Sequence, residues 1–354
     1  MSVPSFVYEC QPARVVFGAG SLARLGDEMD RLGLKRAMLL ATPPQRGQAE
    51  DLARRLGGRV AGIHDRAVMH VPVETARVAS AEAGRLHADC SVAIGGGSTI
   101  GLAKAIALEL GLPVVAVPTT FAGSEMTPIW GLTDGGVKKT GRDPRVLPRL
   151  VIYDPTLTLT LPPAIAGPSG MNAIAHCVEA LYAENGNPVT ALMAEEGIRA
   201  LAQSLPLVVA DGHDLPARAT ALYGAWLAGT ALGAVGMALH HKLCHTLGGS
   251  FNLPHAETHS IVLPHATAYN RAAAPEAMAR IARALGVADA AGGLYDLARR
   301  VGAPAGLGAI GMQAGDLDRA ANLATTNPYF NPRPVTREGV RALLDDAWHG
   351  RRPA

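Results

Sequence analysis

Short apolar runs alternate with mixed apolar and charged stretches along the first part of the chain. The apolar runs predict buried strands, at 13–18, 36–42, 59–63, 90–96, 113–119 and 149–155. The mixed stretches end near glycines or polar turns and predict helices, at 21–33, 48–57, 73–87 and 100–111. Strands that alternate with helices are typical of a parallel sheet covered by helices. We therefore expect an α/β domain here.

The pattern changes after Pro162, where strand signals nearly vanish and long stretches rich in alanine and leucine begin. These stretches predict helices, at 163–183, 190–209, 215–248, 274–285, 289–301, 315–325 and 336–348. A chain of 354 residues is also longer than a single hydrophobic core comfortably serves. The change predicts two domains, an α/β domain over 1–160 and an all-α domain over 161–354.

Composition and charge favour an ordinary globular protein. Hydrophobic residues make up 48% of the chain, charged residues make up 18%, and the net charge is only +2, so nucleic acid is not an expected partner. Residues 221–239 carry no charge over nearly the length of a membrane span. Their glycine and alanine content and the histidines that follow favour a buried helix, so no membrane association is expected.

The cysteines and the N-terminal residues bear on the compartment. Cys10, Cys90, Cys177 and Cys244 are scattered and form no CxxC pair, which favours reduced, buried thiols over disulfides or a cysteine zinc site. Residues 1–18 contain no basic region followed by an apolar stretch, so a secretory signal is not expected. These features predict a cytoplasmic protein.

A glycine-rich turn joins a predicted strand to a predicted helix in CSVAIGGGSTIGLAKAIA (90–107). The turn consists of small residues: Gly95, Gly96, Gly97, Ser98 and Thr99. Such a turn lets the backbone N–H groups at a helix N-terminus approach a pyrophosphate, where the helix dipole favours negative charge. The pattern is not GxGxxG, and the alternative is a purely structural turn. Its place between strand and helix favours phosphate binding.

Short hydroxyl side chains follow the next strand in VPTTFAGSEMTP (117–128). They are Thr119, Thr120, Ser124 and Thr127, and Thr42 lies at the end of an earlier strand. The carboxyl edge of an open parallel sheet is where such folds bind nucleotides. We expect these residues to contact the cofactor, although a hydroxyl-rich helix entry is the alternative.

Histidines and one asparagine form the candidate catalytic cluster. Asn172 and His176 are four residues apart and share one helix face, as do His241 and His245, while His255 follows after a glycine-containing loop. Side chains from two helices and a later segment can converge on one ion or one small molecule. Single histidines are more often structural, but their density here favours a site.

These motifs together resemble the iron-containing (group III) alcohol dehydrogenase superfamily. The matching segments occur in the same order and cover almost the whole chain: GGGSTIGLAK, PTTFAGSE, SGMNAIAHCVEA and HKLCHTLGGSFNLPH. The resemblance implies a Rossmann-like NADH- or NADPH-binding domain, a helical catalytic domain and an active site in the cleft between them. It also implies a homodimer. Metal-dependent members bind Fe²⁺ or Zn²⁺ through an aspartate and three histidines.

The family's ligand places fall on Asn172, His176, His241 and His255 in this sequence. The asparagine stands where the family has the aspartate, and a neutral amide is a poor ligand for a divalent ion, so no metal requirement is expected. Gly101 replaces another family aspartate beside the glycine-rich turn. Pro43 stands where NAD-preferring relatives carry an aspartate, so NADPH should be accepted beside NADH. Lys139, with Lys138, matches a lysine pair near the nucleotide, or else belongs to a solvated turn.

Within the family, the paired histidines and the segment NPYFNPRPVTREGVRALL (327–344) resemble a subfamily that reduces the C=C bond of an unsaturated oxo-dicarboxylate. A small anionic dicarboxylate is therefore the expected substrate. The candidate proton donors and oxyanion partners are His241 and His245, with Lys242 less certain. The candidate substrate-binding residues are Asn172, His176, His255, Arg333 and Tyr329.

Two other functions stay open at this point. A metal-dependent alcohol dehydrogenase has the same fold but requires an aspartate where this chain has Asn172; a glycerol-dehydrogenase-like or dehydroquinate-synthase-like function is a more distant variant. A non-catalytic nucleotide-binding protein is the alternative from another class. Retention of the histidine cluster and of the glycine-rich turn argues against it.

Overall fold

The computed structural model describes residues 6–8, 13–135 and 137–353. The chain divides between Thr160 and Leu161 into two compact units. The α/β unit spans Gln11–Thr160, and the helical unit includes Leu161–Ala354. Each unit has its own cluster of buried apolar side chains.

A six-stranded parallel sheet forms the centre of the α/β unit, with the strand order β1-β8-β5-β4-β2-β3. Its strands are β1 Arg14–Phe17, β2 Ala37–Leu40, β3 Val60–His64, β4 Cys90–Gly95, β5 Val114–Pro118 and β8 Leu150–Tyr153. Every residue of β2, β4, β5 and β8 is buried, as apolar runs covered on both faces require. The six predicted strands are confirmed.

Four helices connect these strands: α1 Leu25–Arg31, α2 Arg46–Leu56, α3 Val73–Arg85 and α4 Gly97–Leu110. The first predicted helix divides in two, because a 3₁₀ turn at Ser21–Arg24 precedes α1. The chain passes from β3 on one side of β2 to β4 on the other, which makes the β2–β4 boundary the point where the strand order reverses. The carboxyl edge at this boundary is the expected ligand-binding edge.

An antiparallel hairpin, β6 Ile129–Asp134 and β7 Val137–Arg142, was not predicted. Its register pairs Leu132 with Lys139 and Thr133 with Lys138. The interpretation of the two lysines as part of a loop was therefore wrong. The segment mixes apolar, glycine and polar positions without a regular period of two, so its sequence lacks the apolar alternation that marks a strand.

The helical unit contains nine helices within the described residues. They are α5 Pro163–Ala180, α6 Pro188–Ala210, α7 Leu215–Ala234, α8 Leu239–Phe251, α9 His255–Asn270, α10 Pro275–Leu285, α11 Ala290–Arg300, α12 Leu317–Thr325 and α13 Arg337–His349. These helices confirm the predicted all-α class of this part of the chain. Helix α9 was missed because its polar and apolar residues are mixed around the helix, so its sequence has no amphipathic pattern, and because it contains Pro264.

The single helix predicted at 215–248 was wrong. It is two helices, α7 and α8, which meet at an angle of 97° across the break at residues 235–238. The charge-free stretch at 221–239 runs across this break. Within the described ranges, no single helix has the length and apolar character of a membrane span, and only the bent α7–α8 pair meets both criteria together.

The cysteines that the structure describes agree with the expected free thiols. Cys90, Cys177 and Cys244 are buried and unpaired with another cysteine. Burial raises the pKa of each thiol well above its ordinary value. Cys10 lies outside the described residues.

Candidate active site

The predicted nucleotide residues come together at the carboxyl edge of the sheet. Thr42 donates a hydrogen bond to Oε1 of Gln45 (2.9 Å), and Nε2 of Gln45 donates to the hydroxyl of Thr119 (2.7 Å). Gln45 thereby joins the ends of β2 and β5 above Gly95, the last residue of β4. Sequence reasoning missed Gln45, since a glutamine in a Pro-rich turn has no distinctive pattern.

The glycine-rich turn depends on the absence of side chains. A Cβ on Gly95, whose φ is +152°, would lie 2.4 Å from Oγ1 of Thr99, and a Cβ on Gly96 would lie 2.8 Å from Cγ2 of Thr120. Helix α4 begins at Gly97 without a side-chain cap, and Gly97 is exposed and Ser98 half-buried. The first N–H groups of α4 are therefore placed to bind an anion.

Lys104 organises the segment that carries Ser124 and Thr127. Its buried Nζ donates to the carbonyls of Ser124 (2.7 Å), Thr127 (2.8 Å) and Ile129 (2.8 Å) and to the hydroxyl of Thr127 (3.0 Å). Burial lowers the pKa of Lys104 to about 7, against the opposing charge of Glu125. The Thr127 hydroxyl is only 2% exposed and is committed to these contacts.

Gly101 has a steric reason to be glycine. A Cβ at this position would lie 2.8 Å from Cγ2 of Val71. Val71 (φ 45°) and His70 (φ 65°) both adopt left-handed backbone, which a β-branched residue rarely does. Thr133 on β6 holds this segment by donating to the carbonyls of both residues. The space beside position 101 is thus filled by the apolar side chain of Val71.

Lys139 lies on a strand and not in a loop. It is exposed on β7, and its Nζ pairs with Asp134 on β6 at 3.0 Å. Exposed pairs of this kind add little stability. Its predicted nucleotide contact stays a prediction.

In the helical unit, the cluster forms around α5 and α8. Asn172 and His176 lie on one face of α5, and both are at most 5% exposed. Nδ1 of His176 lies 2.8 Å from Nε2 of His241, and the two rings stack with centroids 4.9 Å apart. Oδ1 of Asn172 is buried and has no hydrogen-bond partner among the described residues. The structure therefore brings these three predicted residues together.

Glu179 is a central residue that the sequence reasoning missed. It is fully buried one turn beyond His176 on α5, and its Oε2 lies 2.7 Å from Nδ1 of His241. Its two oxygens also accept the backbone N–H groups of Ala238 and His240, each at 2.7 Å. The same carboxylate thus caps the first turn of α8 and orients His241. Its spacing of three residues from His176 was the available signal.

His245 and His255 complete the predicted histidines. His245 lies one turn along α8 from His241, with ring centroids 6.2 Å apart, and it is exposed. His255 is the first residue of α9, and its ring lies 4.3 Å from that of His259. His245 is therefore the more accessible imidazole of the cluster. The glycine-containing loop expected before His255 was wrong, because Gly248 and Gly249 lie within α8.

A second buried pair lies beside the first. Nε2 of His240 lies 2.9 Å from Nδ1 of His259, and Sγ of Cys244 lies 3.7 Å from the same His240 atom. Burial lowers the pKa of both imidazoles well below the ordinary value, so they are neutral near pH 7. The sequence signal for His259 was its spacing of four residues from His255 on the same helix face.

The remaining predicted residues contact aromatic rings. Nζ of Lys242 lies 5.7 Å from the ring centroid of Tyr329. The hydroxyl of Tyr329 is buried without a hydrogen-bond partner among the described residues, and burial raises its pKa. Arg333 stacks on Tyr269 at 4.2 Å and donates to the Tyr269 carbonyl at 3.2 Å. Arg333 is therefore held by the fold, with further N–H donors available to a ligand.

The family's metal chemistry can be tested against this geometry. Two nitrogens bound at 2.0–2.1 Å to one tetrahedral Zn²⁺ lie about 3.3 Å apart. The facing nitrogens of His176 and His241 lie 2.8 Å apart, which is a hydrogen-bond distance, so in this arrangement one of these two nitrogens carries a proton and has no lone pair for an ion. Asn172 adds no negative charge. These residues fit a hydrogen-bonded imidazole pair better than a divalent ion.

Comparison with known proteins defines the class. Residues 12–155 match the family model for iron-containing alcohol dehydrogenase, and residues 167–348 match the model for the C-terminal part of the Fe-containing alcohol dehydrogenase family. The chain belongs to the iron-containing alcohol dehydrogenase family. The predicted family and fold are confirmed.

Close relatives within that family share a narrower name. A maleylacetate reductase from Burkholderia cepacia is 60% identical over 350 residues, which are 99% of each chain. One from Sphingobium indicum is 58% identical over 98% of this chain and 99% of its own. The crystal structure of maleylacetate reductase from Agrobacterium tumefaciens matches with a TM-score of 0.95 at 55% identity, covering 99% of this chain and 100% of that one.

Proposed function

We propose that this protein is a maleylacetate reductase, an oxidoreductase that reduces the C=C bond of maleylacetate to give 3-oxoadipate with NADH or NADPH. The observation that carries the proposal is the 60% identity to a maleylacetate reductase over almost the whole of both chains. The chemistry of the histidine cluster agrees with it. Asn172, in place of the aspartate that the alcohol dehydrogenase alternative requires, counts against that alternative.

The reaction sets three demands on the protein. Hydride from nicotinamide C4 adds to the alkene carbon β to the ketone, and negative charge collects on the ketone oxygen as an enolate. The protein must offer a donor to that oxygen and a proton to the adjacent carbon. It must also bind two carboxylates in a fixed orientation.

Imidazoles supply the donor and the proton. His245, the exposed member of the cluster, is placed to donate to the ketone oxygen, and one such donor is worth about 3 kcal/mol to the transition state. The His176–His241 pair, only 5% exposed, holds the proton for carbon. Lys242 beside Tyr329 is a weaker candidate for either role.

Groups with unmet hydrogen-bonding capacity suit the substrate carboxylates. The neutral hydroxyl of Tyr329 is a donor without a partner among the described residues. The Asn172 amide supplies N–H donors, and His255 is half-buried beside His259. Arg333 keeps N–H groups beyond the one that bonds Tyr269, so it suits the second carboxylate.

The carboxyl edge of the sheet serves the nucleotide. Gly95, Gly96, Gly97, Ser98 and Thr99 receive the pyrophosphate, and Thr42, Thr119, Thr120 and Ser124 surround it. Pro43 leaves the end of β2 without a repelling carboxylate at that position. Arg46 follows it, paired with Glu50 at 2.8 Å and Asp65 at 2.9 Å, and its exposed guanidinium suits the 2′-phosphate of NADPH. Both nucleotides are therefore substrates.

The remaining parts of the proposal follow from the family resemblance and from the site. The protein works without a divalent metal, as a homodimer in the cytoplasm, in the degradation of aromatic compounds. Its small-molecule partner beside the nucleotide is the dicarboxylate, and nucleic acid and membranes take no part.

The test is direct. Purified protein is mixed with freshly prepared maleylacetate and NADH or NADPH, and nucleotide oxidation and 3-oxoadipate formation are followed together. Nucleotide oxidation and 3-oxoadipate formation are expected to proceed at equal rates. No reaction with maleylacetate, combined with oxidation of a primary alcohol by NAD⁺, would identify the protein as an alcohol dehydrogenase instead.

A further inference from the structure

The side chain of Gln45 bridges two strands that are not neighbours in the sheet. Thr42 follows β2, Thr119 follows β5, and β4 lies between those strands. Oε1 of Gln45 accepts the Thr42 hydroxyl at 2.9 Å, and Nε2 of Gln45 donates to the Thr119 hydroxyl at 2.7 Å. A Cβ on Gly95 would lie 2.8 Å from Oε1. The amide therefore lies across the end of β4, where the strand order reverses.

Main-chain hydrogen bonds hold both threonines in place for this bridge. The N–H of Gln45 donates to the carbonyl of Thr42 at 2.9 Å, and the N–H of Thr119 donates to the carbonyl of Gly95 at 3.0 Å. Thr119 is only 3% exposed, and Gln45 is half-buried. Because the backbone fixes the two threonines, the Gln45 side chain can be replaced without moving them far.

The amide gives the two hydroxyls opposite roles, since one of its ends accepts and the other donates. The Thr42 hydroxyl gives its only proton to Gln45, so it has only lone pairs to offer a ligand. The Thr119 hydroxyl receives a proton from Gln45 and donates to no group among the described residues, so it keeps its own proton for a ligand. Thr42 is thus an acceptor and Thr119 a donor.

A dinucleotide carries groups that match these roles. In α/β dinucleotide folds the pyrophosphate lies at the glycine-rich turn, and an acceptor, usually a carboxylate, binds the 2′-hydroxyl of the adenosine ribose. Residues 41–45, which follow β2, include no carboxylate, and Thr42 is the acceptor there. The hydroxyl of Thr99 is fully buried beside Gly95 and has no hydrogen-bond partner in the described part of the chain. It is a second sign that a ligand completes this edge.

We propose that Gln45 is a positioning residue that favours NADH, because it makes Thr42 an acceptor for the 2′-hydroxyl of the adenosine ribose and leaves Thr119 as a donor to the pyrophosphate. This inference rests on the proposed reductase function, which requires a nicotinamide dinucleotide. An ionised 2′-phosphate has no proton to give to Thr42. Gln45 therefore favours NADH, while its neighbour Arg46 suits NADPH, and the two residues act on nucleotide choice in opposite directions.

The test compares Gln45→Leu with the wild-type protein by fluorescence titration with each nucleotide. Leucine fills much of the same space but orients neither hydroxyl. The Kd for NADH is expected to rise about tenfold. The Kd for NADPH should rise less than about threefold, because the freed Thr42 hydroxyl can donate to the 2′-phosphate. The matched control is Gln48→Leu on α2, whose amide donates to Thr160 at 3.3 Å, and it should keep both wild-type Kd values.

The ratio of the two Kd values separates a positioning role from a merely structural one. Equal losses of NADH and NADPH affinity in Gln45→Leu would overturn the inference, because a distorted crevice weakens both nucleotides alike. A wild-type Kd for NADH in this variant would overturn it as well. Absence of NADH binding by the wild-type protein would instead contradict the proposed function.

A modified ligand gives an answer even if Gln45→Leu does not fold. An NADH analogue that lacks the 2′-hydroxyl of the adenosine ribose should bind the wild-type protein about tenfold more weakly than NADH does. Thr42→Val keeps the shape of the side chain and removes the acceptor, so NADH and the analogue should bind this variant equally. A preference for NADH that is undiminished in Thr42→Val would overturn the inference.

Discussion

Nδ1 of His176 and Nε2 of His241 lie 2.8 Å apart and form a hydrogen bond, on positions that match metal-ligand places of the family. A nitrogen that donates a proton has no lone pair to offer an ion. Asn172 lies on the same helix face and is neutral, so the site lacks the negative charge that would help a metal ion to displace this hydrogen bond. We therefore propose that the site works without a divalent ion.

Placing an aspartate at position 172 should restore affinity for a metal ion. Asn172→Asp adds one negative charge beside His176, and we expect Zn²⁺ or Fe²⁺ to bind at least about tenfold more tightly than in the wild type. Maleylacetate reduction should fall as the metal separates the two imidazoles. Isothermal titration with each ion, with Asn172→Ala as the uncharged control, measures the change. Equal affinities in all three proteins would contradict this account of the site.

His245→Ala should lose the donor to the ketone oxygen. Since one donor of this type is worth about 3 kcal/mol, turnover of maleylacetate should fall by roughly 10²-fold with little change in protein stability, because the imidazole is exposed. Steady-state kinetics and thermal unfolding measure the two effects. A near-normal kcat would remove His245 from the mechanism.

Arg46→Ala should change the choice of nucleotide. Without the guanidinium, its two partners, Glu50 on α2 and Asp65 directly after β3, are left unpaired and repel a 2′-phosphate. The kcat/KM for NADPH is expected to fall about tenfold, while that for NADH changes little. The control is Arg54→Ala, which removes another arginine of the same helix, one that pairs with Asp51. Parallel losses with both nucleotides in Arg46→Ala would contradict this role.

Buried histidines should make the fold sensitive to acid. Burial lowers the pKa of His265 to about 4, and the folded protein therefore binds fewer protons than the unfolded chain as the pH falls from about 6.5 to 4. The free energy of unfolding must decrease over that range, by about 3 kcal/mol from His265 alone.

Urea unfolding at several pH values isolates this contribution. The difference between the wild type and His265→Gln should shrink as the pH falls from 7 to 5, since the variant lacks the titrating group. His213→Gln, at an exposed position, should follow the wild type at every pH. A His265→Gln difference that is independent of pH would show that His265 is not held neutral.

Local patterns were sufficient for the sheet and the glycine-rich turn. Each buried strand is a continuous apolar run. The side chains that leave no room for a Cβ at Gly95 and Gly96 are those of Thr99 and Thr120, which belong to the two sequence motifs themselves. The hairpin β6–β7 was not predictable in this way, because its strands show no apolar alternation and each is stabilised by the other. Helix α9 was not predictable either, because its polar and apolar residues are not separated into two faces.

The site was predictable as a set of histidines but not as a network. Spacing placed Asn172 with His176 and His241 with His245, because those pairs share a helix face. The bond between His176 and His241 and the role of Glu179 depend on how α5 packs against α8. The break between α7 and α8, which brings the first turn of α8 onto Glu179, left no mark in the hydrophobic pattern.

The central claim is that a hydrogen-bonded imidazole pair replaces the metal ion in this site. We would measure NADH-dependent reduction of maleylacetate by the purified protein before and after exhaustive chelation, and again after Fe²⁺ or Zn²⁺ is added. The account predicts that kcat is unchanged by chelation and is not raised by either ion. Loss of activity with the chelator and its recovery with metal would contradict the claim, and would make Asn172 a ligand.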